Sequence, residues 1–321
     1  MCGIFGYFGK PTKQTTKVLY LLGLLNEERG RDSAGLVISN GKRILFHKNV
    51  GTATKFLKEA KTIELLNKVK LSDFINVIGH TRQATHGIVN ADNAHPFRVG
   101  KFVLAHNGVI NNFAKLQADY KTTYQVDSQI IGHLLNLDDP VEVFEKQIGG
   151  WFTVPYINLE KQFELNIVKH NAPLAFATLQ DGSGMFYSSL ESHLKEALKK
   201  AGIRSSIGDT GSSKLYTFKW EAGKLKRDKF KIYNKVVSTP VYYDPDDYYS
   251  TGDYNEGFGY GCGYKYSYNP EKSNLRQIAP PKLEAQKATL TKIKDIVEER
   301  KKKLKAYDVN EDGTLKRIHY T

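Results

Sequence analysis

Cys2 to Phe8 alternates apolar side chains with glycine, the period-two pattern of a strand. From Val18 to Leu25 the apolar positions recur at helical spacing and stop at Arg29-Gly30, which predicts a helix and its end. Ala34–Ser39 and Arg43–Lys48 flank Asn40-Gly41, a strong hairpin signal. Thr54–Lys70 carries Phe56, Leu57, Ile63, Leu65, Leu66 and Val69 at spacings that predict one amphipathic helix. Phe74–Gly79 predicts a buried strand followed by a polar loop from His80 to Pro96, and Phe102–Ala105 a second strand stopped by a turn at Asn107-Gly108. Short helices are predicted over Asn112–Asp119 and Asp127–Leu135. The rest of the body reads as β: Trp151–Ile157, Phe163–Val168, Leu174–Thr178, Met185–Ser188, Leu215–Lys219 and Lys224–Tyr233, interrupted by a helix at Ser192–Ala201. Hairpin-linked strands with helices in blocks predict an α+β fold of antiparallel sheets covered by helices, not a parallel doubly wound sheet.

Past about Val237 the pattern changes. Tyr242 to Tyr268 holds nine tyrosines among glycine, aspartate and serine, with almost none of the aliphatic surface a core requires. Pro280-Pro281 opens a Lys-rich segment in which Leu290, Ile293, Val297 and Leu304 make a partial heptad stripe. The expected organisation is a body over residues 2–235, a Tyr/Gly-rich linker over 236–280 and a helical tail over 281–321. Asp308, Asn310, Asp312 and Gly313 imitate the start of a calcium loop, but the twelfth position is His319, where a glutamate is needed.

Composition narrows the class. At 321 residues and 40% hydrophobic content the chain can bury a full core, and no apolar run approaches the ~18 residues of a membrane span. No export signal is visible and the only cysteines are Cys2 and Cys262, which excludes a disulfide framework and points to a reducing, cytoplasmic setting. The formal charge of +13 is uneven: residues 236–321 hold 14 Lys/Arg and 13 Asp/Glu, so +12 falls on the first 235. Spread over the body, that surplus describes a solvated surface better than a nucleic-acid interface.

Candidate chemistry gathers in four places. Removal of Met1 would leave Cys2 carrying both a thiol and a free α-amine, a nucleophile and its base in one residue, because an α-amine titrates near ~8 rather than at the lysine value. In Gly79-His80-Thr81-Arg82-Gln83-Ala84-Thr85-His86-Gly87, Arg82 offers a planar fork suited to a carboxylate. In His106-Asn107-Gly108, an asparagine amide beside a glycine N–H makes a pair of donors for an oxyanion. Asp127 opens a helix, where it can cap the helix or bind an ammonium. Together these describe a site for an α-amino acid with a reactive acyl end. His80, His86, His95 and His106 have neither the spacing nor the carboxylate company of a metal motif, no phosphate-cradling loop is present, and no cofactor is expected.

Cys2-Gly3-Ile4, Arg29-Gly30-Arg31-Asp32-Ser33-Ala34-Gly35, the Gly79–Gly87 segment, Asn93-Ala94-His95-Pro96, His106-Asn107-Gly108 and Asp127 occur in that order. So ordered, they resemble the class II glutamine amidotransferase domain, most closely the glutaminase domain of glucosamine-6-phosphate synthase, over roughly residues 2–235. The resemblance implies an N-terminal-nucleophile (Ntn) hydrolase fold, a four-layer αββα sandwich of two antiparallel sheets. It implies that Cys2 attacks the side-chain amide of L-glutamine, that Asn107 and Gly108 hold the oxyanion, and that Arg82 and Asp127 bind the substrate carboxylate and ammonium. Thr85 and His86 fall on positions lining the glutamine pocket, and Arg29, Asp32 and Gln83 on a loop or lid near the nucleophile. Gln83 stands where the amino-sugar synthase has tryptophan.

The sequence carries neither a Ser-Gly-Gly-x-Asp pyrophosphate loop nor an acidic-pair phosphoribosyl motif, so the expected function is a glutaminase component whose ammonia goes to an acceptor enzyme on another chain. Two alternatives keep the fold: an amidohydrolase for another γ-glutamyl compound, and a non-catalytic binding module.

Overall fold

Strand parity sets the architecture. In β1 (Gly3–Gly9), Ile4 and Phe8 point to one side while Phe5 and Tyr7 point to the other, and the two sets enter different cores. The computed structural model describes residues 2–69, 72–85 and 87–231, with 307–309 and 315–317, all within one unit of the chain. The linker 236–280, the tail 281–321 apart from those last two segments, and His86 lie outside the described residues.

The first sheet contains β1, β2 (Ser33–Ser39), β3 (Ile44–Val50), β4 (Ile75–Arg82), β10 (Ala175–Leu179), β11 (Gly184–Ser188) and β12 (Ser205–Asp209) in the order β12-β10-β11-β1-β4-β2-β3. The second contains β5 (Phe97–Val99), β6 (Phe102–Leu104), β8 (Gly150–Asn158), β9 (Glu164–His170), β13 (Lys214–Glu221) and β14 (Lys224–Lys231) in the order β14-β13-β9-β8-β6-β5, with β7 (Asn107–Ile110) also on β8. Every pairing is antiparallel.

Three cores separate four layers. Ile4, Phe8, Val37, Ile78, Val103, Ile157, Ile167, Phe176, Tyr216 and Phe218 pack between the sheets. The outer face of the first sheet meets helices α1 (Thr15–Asn26), α2 (Ala53–Phe56), α3 (Ala60–Lys68) and, later in the chain, the helix Glu191–Ala201. The outer face of the second sheet meets α4 (Phe113–Asp119), α5 (Asp127–Leu137), α6 (Pro140–Glu142) and the π-helical turn Val143–Gln147 that continues α6. This is the expected αββα sandwich. No helix among the described residues is long and apolar enough to cross a membrane.

Four local expectations need correction. The helix expected over Thr54–Lys70 is broken into α2 and α3, because Glu59 takes an extended conformation and its carboxylate is held by His47 (2.6 Å) and Asn49 (3.0 Å) of β3. The strand expected to end at Gly79 runs on through His80, Thr81 and Arg82, since β1 pairs with it as far as Thr81 and β2 as far as Arg82. Asn107-Gly108 is not a turn but the start of β7, paired with Thr153 and Phe152. Within the tail expected to be helical, β15 (Tyr307–Val309) and β16 (Leu315–Arg317) pair antiparallel.

The extension of β4 has a direct consequence. Asn76, Ile78, His80 and Arg82 share the face turned toward the second sheet, so the inter-sheet layer is apolar in its middle and polar at one end. There His80, His95 and His106 are buried together, with the His80 and His95 rings 4.1 Å apart. Burial drives the His80 pKa down to about 3 and lowers that of His95 well below its ordinary value, so both are neutral imidazoles.

Two stability outcomes follow from this layer. Phe8 packs edge-on to Phe74 at 5.2 Å in the inter-sheet core, and Phe8→Ala is expected to cost about 3–5 kcal/mol in urea unfolding. Because His80 and His95 bind a proton in the unfolded chain below about pH 6.5 but not in the folded one, stability is present above that pH and is lost as pH falls toward 3. Each histidine contributes a slope of roughly 1 kcal/mol per pH unit across that window. Unfolding midpoints measured from pH 7 to pH 4 should fall, and should fall less in His95→Phe.

Candidate active site

Pairing of β1 with β4 places Gly3 opposite Thr81, which brings Cys2 beside Arg82 at the polar end of the inter-sheet layer. The Cys2 thiol donates to the Gln83 carbonyl and accepts from the Gln83 N–H, each at 3.3 Å. Burial pushes the thiol pKa up, while the Gln83 backbone, the positive charge of the chain terminus and Arg82 pull it the other way. The resting sulfur is therefore a thiol that needs a base before it can attack.

The Cys2 carbonyl accepts two hydrogen bonds, from Arg29 Nε and from Asn107 Nδ2, both 2.8 Å. Arg29 reaches it from the 3-10 turn Glu27–Arg29 that closes α1. Gly30 follows, and a Cβ there would lie 2.4 Å from the Arg82 carbonyl carbon and 2.7 Å from the Gln83 nitrogen, so only glycine lets the two segments lie this close. Asp32 secures the same loop: its carboxylate accepts from Ala84 N–H at 2.7 Å and its own N–H donates to the Arg82 carbonyl at 3.0 Å. Beyond Ala84, Thr85 is exposed.

Asn107 comes from β7 in the facing sheet. Its Nδ2 also donates to Ser189 Oγ at 2.8 Å, and its Oδ1 accepts from His80 Nε2 at 3.1 Å. Gly108 has φ +136°, and a Cβ would sit 1.9 Å from the Trp151 carbonyl, so no other residue fits at this position.

Asp127 is the first residue of α5 and is 4% exposed. Rather than capping its own helix, its carboxylate accepts the Ile110 N–H at 3.1 Å, and its Oδ1 lies 3.9 Å from His106 Nδ1. Arg82 is 2% exposed; burial lowers its pKa, and Cys2, Asp32 and Asp127 act on it electrostatically in the opposite direction. A buried guanidinium and a buried carboxylate thus flank one thiol, a charge pair matched to a zwitterionic ligand.

The structure therefore brings together Cys2, Arg29, Asp32, Arg82, Gln83, Asn107 and Asp127, and leaves Thr85 on the exposed loop. Sequence reasoning missed two members. Ser189 directly follows β11 with no motif of its own; its Oγ accepts from Ile4 N–H at 2.8 Å as well as from Asn107. His80, expected in a loop, is a strand residue whose ring faces Asn107. Among the described residues no group of three His, Cys, Asp or Glu side chains is placed to hold a metal ion. A cavity of about 480 Å³ opens elsewhere, on the outer face of the second sheet beside Lys101, Tyr156, Asn166 and Thr217, and none of the residues around the thiol lines it.

Residues 40–139 match the family described as class-II glutamine amidotransferases. The glutamine–fructose-6-phosphate aminotransferase (isomerizing) of Helicobacter pylori is 30% identical over 268 residues, covering 79% of this chain and 41% of that protein. The same enzyme from Thermococcus kodakarensis is 33% identical over 191 residues, covering 54% of this chain and 30% of its own length. The chain thus spans less than half the length of these relatives. Among solved structures, the glutamine phosphoribosylpyrophosphate amidotransferase of B. subtilis superposes with a TM-score of 0.55 at 21% identity, over 72% of this chain and 50% of that one, a likeness of fold. With the αββα sandwich and the arrangement around Cys2 described above, these similarities identify a class II glutamine amidotransferase domain in this chain.

Proposed function

We propose that the protein is a glutaminase component that hydrolyses L-glutamine to glutamate and ammonia through a γ-glutamyl thioester on Cys2. The observation that carries this reading is a thiol bracketed by a loop backbone, with a buried guanidinium, a buried carboxylate and an asparagine amide around it. Arg82 would take the α-carboxylate and Asp127 the α-ammonium, which directs the side-chain amide toward the sulfur.

Once Met1 is removed, the α-amine of Cys2 accepts the thiol proton as sulfur attacks the amide carbon. The resulting oxyanion draws on the Asn107 amide and the Gly108 N–H. Asn107 is already committed to the Cys2 carbonyl, yet it can turn one N–H to the oxyanion without leaving that carbonyl bare, because Arg29 holds it too. Collapse of the adduct breaks the C–N bond, and the leaving nitrogen takes the proton from the α-ammonium and departs as ammonia. Water then cleaves the thioester, giving glutamate and restoring the thiol. In this reading the ammonia is passed to an acceptor enzyme on another chain.

Glutamate release by the purified protein should fall to background in Cys2→Ala, and mass spectrometry of active material should show Met1 absent; retained Met1 would end the proposed proton transfer. Asn107→Ala is expected to lower kcat by about 10²–10³-fold with little change in KM, the usual cost of an oxyanion donor. Asp127→Asn is expected to raise the KM for glutamine at least about tenfold, as for a lost charge-assisted hydrogen bond. Steady-state kinetics, with γ-glutamyl compounds lacking a free amine or carboxylate as comparison substrates, separates these roles from an activity on some other γ-glutamyl substrate.

A further inference from the structure

The Asn107 carboxamide is gripped at every polar position. Its Oδ1 faces His80 Nε2 at 3.1 Å, and its Nδ2 faces Ser189 Oγ and the Cys2 carbonyl at 2.8 Å each. An asparagine amide is nearly symmetric in shape, so nothing but its neighbours decides which end presents N–H groups to the nucleophile.

Those neighbours decide it without ambiguity. His80 Nε2 lies 3.1 Å from two acceptors, the His106 carbonyl and Asn107 Oδ1, so Nε2 carries the proton and Nδ1 the lone pair. Nδ1 is buried without a hydrogen-bond partner, in a ring whose centre lies 4.1 Å from that of His95. A neutral imidazole has a single N–H to give, and burial keeps His80 neutral across the physiological range. At the other end, Ser189 Oγ accepts from Ile4 N–H at 2.8 Å and leans toward the Ile4 carbonyl at 3.4 Å, which ties it to β1 two residues beyond Cys2. His80 belongs to β4, the neighbour of β1, and Asn107 to the opposite sheet.

We infer that His80 and Ser189 are positioning residues that hold the Asn107 amide with its nitrogen rather than its oxygen toward Cys2, one N–H on Ser189 and the other on the Cys2 carbonyl, and so register the oxyanion donor of one sheet against the nucleophile strand of the other. The kinetic part of this inference rests on the glutaminase reading above; the geometric part does not.

The test compares His80→Leu, which removes the donor, with His80→Gln, whose side-chain amide can restore an N–H near the place of Nε2, and with Ser189→Ala. Glutamate release should show kcat reduced about tenfold or more in His80→Leu and Ser189→Ala, with KM for glutamine within about twofold of the parent, and His80→Gln should recover most of the loss. Alkylation of Cys2 by iodoacetamide, which needs no oxyanion donor, should proceed at the parental rate in all three. In parallel, the side-chain ¹⁵N–¹H signals of Asn107, assigned by loss in Asn107→Ala, should shift and exchange faster in His80→Leu but not in His80→Gln. Parental kcat in His80→Leu and Ser189→Ala, or a loss that falls on KM and alkylation alike in His80→Gln, overturns the positioning role. If the parent releases no glutamate, the glutaminase reading fails, and the Asn107 signals alone decide: unchanged signals in His80→Leu overturn the inference, and shifted ones restored in His80→Gln uphold it.

Discussion

Antiparallel pairing of β1 with β4 on one side and β11 on the other fixes Gly3 against Thr81 and Phe5 against both Gly79 and Ser188. Every functional distance described above is measured from that register. A slip of one residue would turn Cys2 and Ile4 toward the outer helices and bring Phe5 and Tyr7 into the inter-sheet layer, so the apolar pattern of the strand that builds the core also aims the Cys2 thiol. The packing of Ile4, Phe8, Ile78 and Tyr187 is thus the mechanical support of the chemistry, although none of these side chains takes part in it.

The polar end of the same layer is held by a different balance. A run of imidazoles, hydroxyls and amides is enclosed between two sheets, where an isolated charge is costly and an unmade hydrogen bond only somewhat less so. His80 and His95 meet that condition by staying neutral, with His106 enclosed beside them. Ser128 joins His95 to His106, lying 2.8 Å from His95 Nε2 and 3.0 Å from His106 Nδ1. Beside them lie the buried Arg82 guanidinium and Asp127 carboxyl group. Neutral scaffolding around a charged pair preserves the field that the pair projects toward the thiol.

Much of this was legible in the sequence. The strand at Gly3–Gly9, the hairpin around Asn40-Gly41 and the helix α5 follow from period and turn chemistry alone, and the ordered motifs named Cys2, Arg82, Asn107, Gly108 and Asp127. The misses share a cause, in that tertiary partners override local signals. Polar residues His80 and Arg82 look like loop, but the ladders of β1 and β2 draw them into β4. Asn107-Gly108 has the composition of a turn, yet pairing with β8 makes it a strand, with glycine there for want of space beside Trp151. The helix break at Glu59 depends on His47 and Asn49, ten or more residues earlier. Ser189 is one of many serines until the fold sets it between Ile4 and Asn107.

Gln83 meets the sulfur through its peptide N–H and carbonyl, which every amino acid other than proline possesses, and the closeness of that peptide is imposed by Gly30 and by the Asp32 bond to Ala84. The covering of the sulfur is therefore a property of the main chain, and the side chain at 83 makes neither of those two contacts. A large aromatic and a carboxamide can therefore exchange at this place with the peptide that meets the sulfur left unchanged.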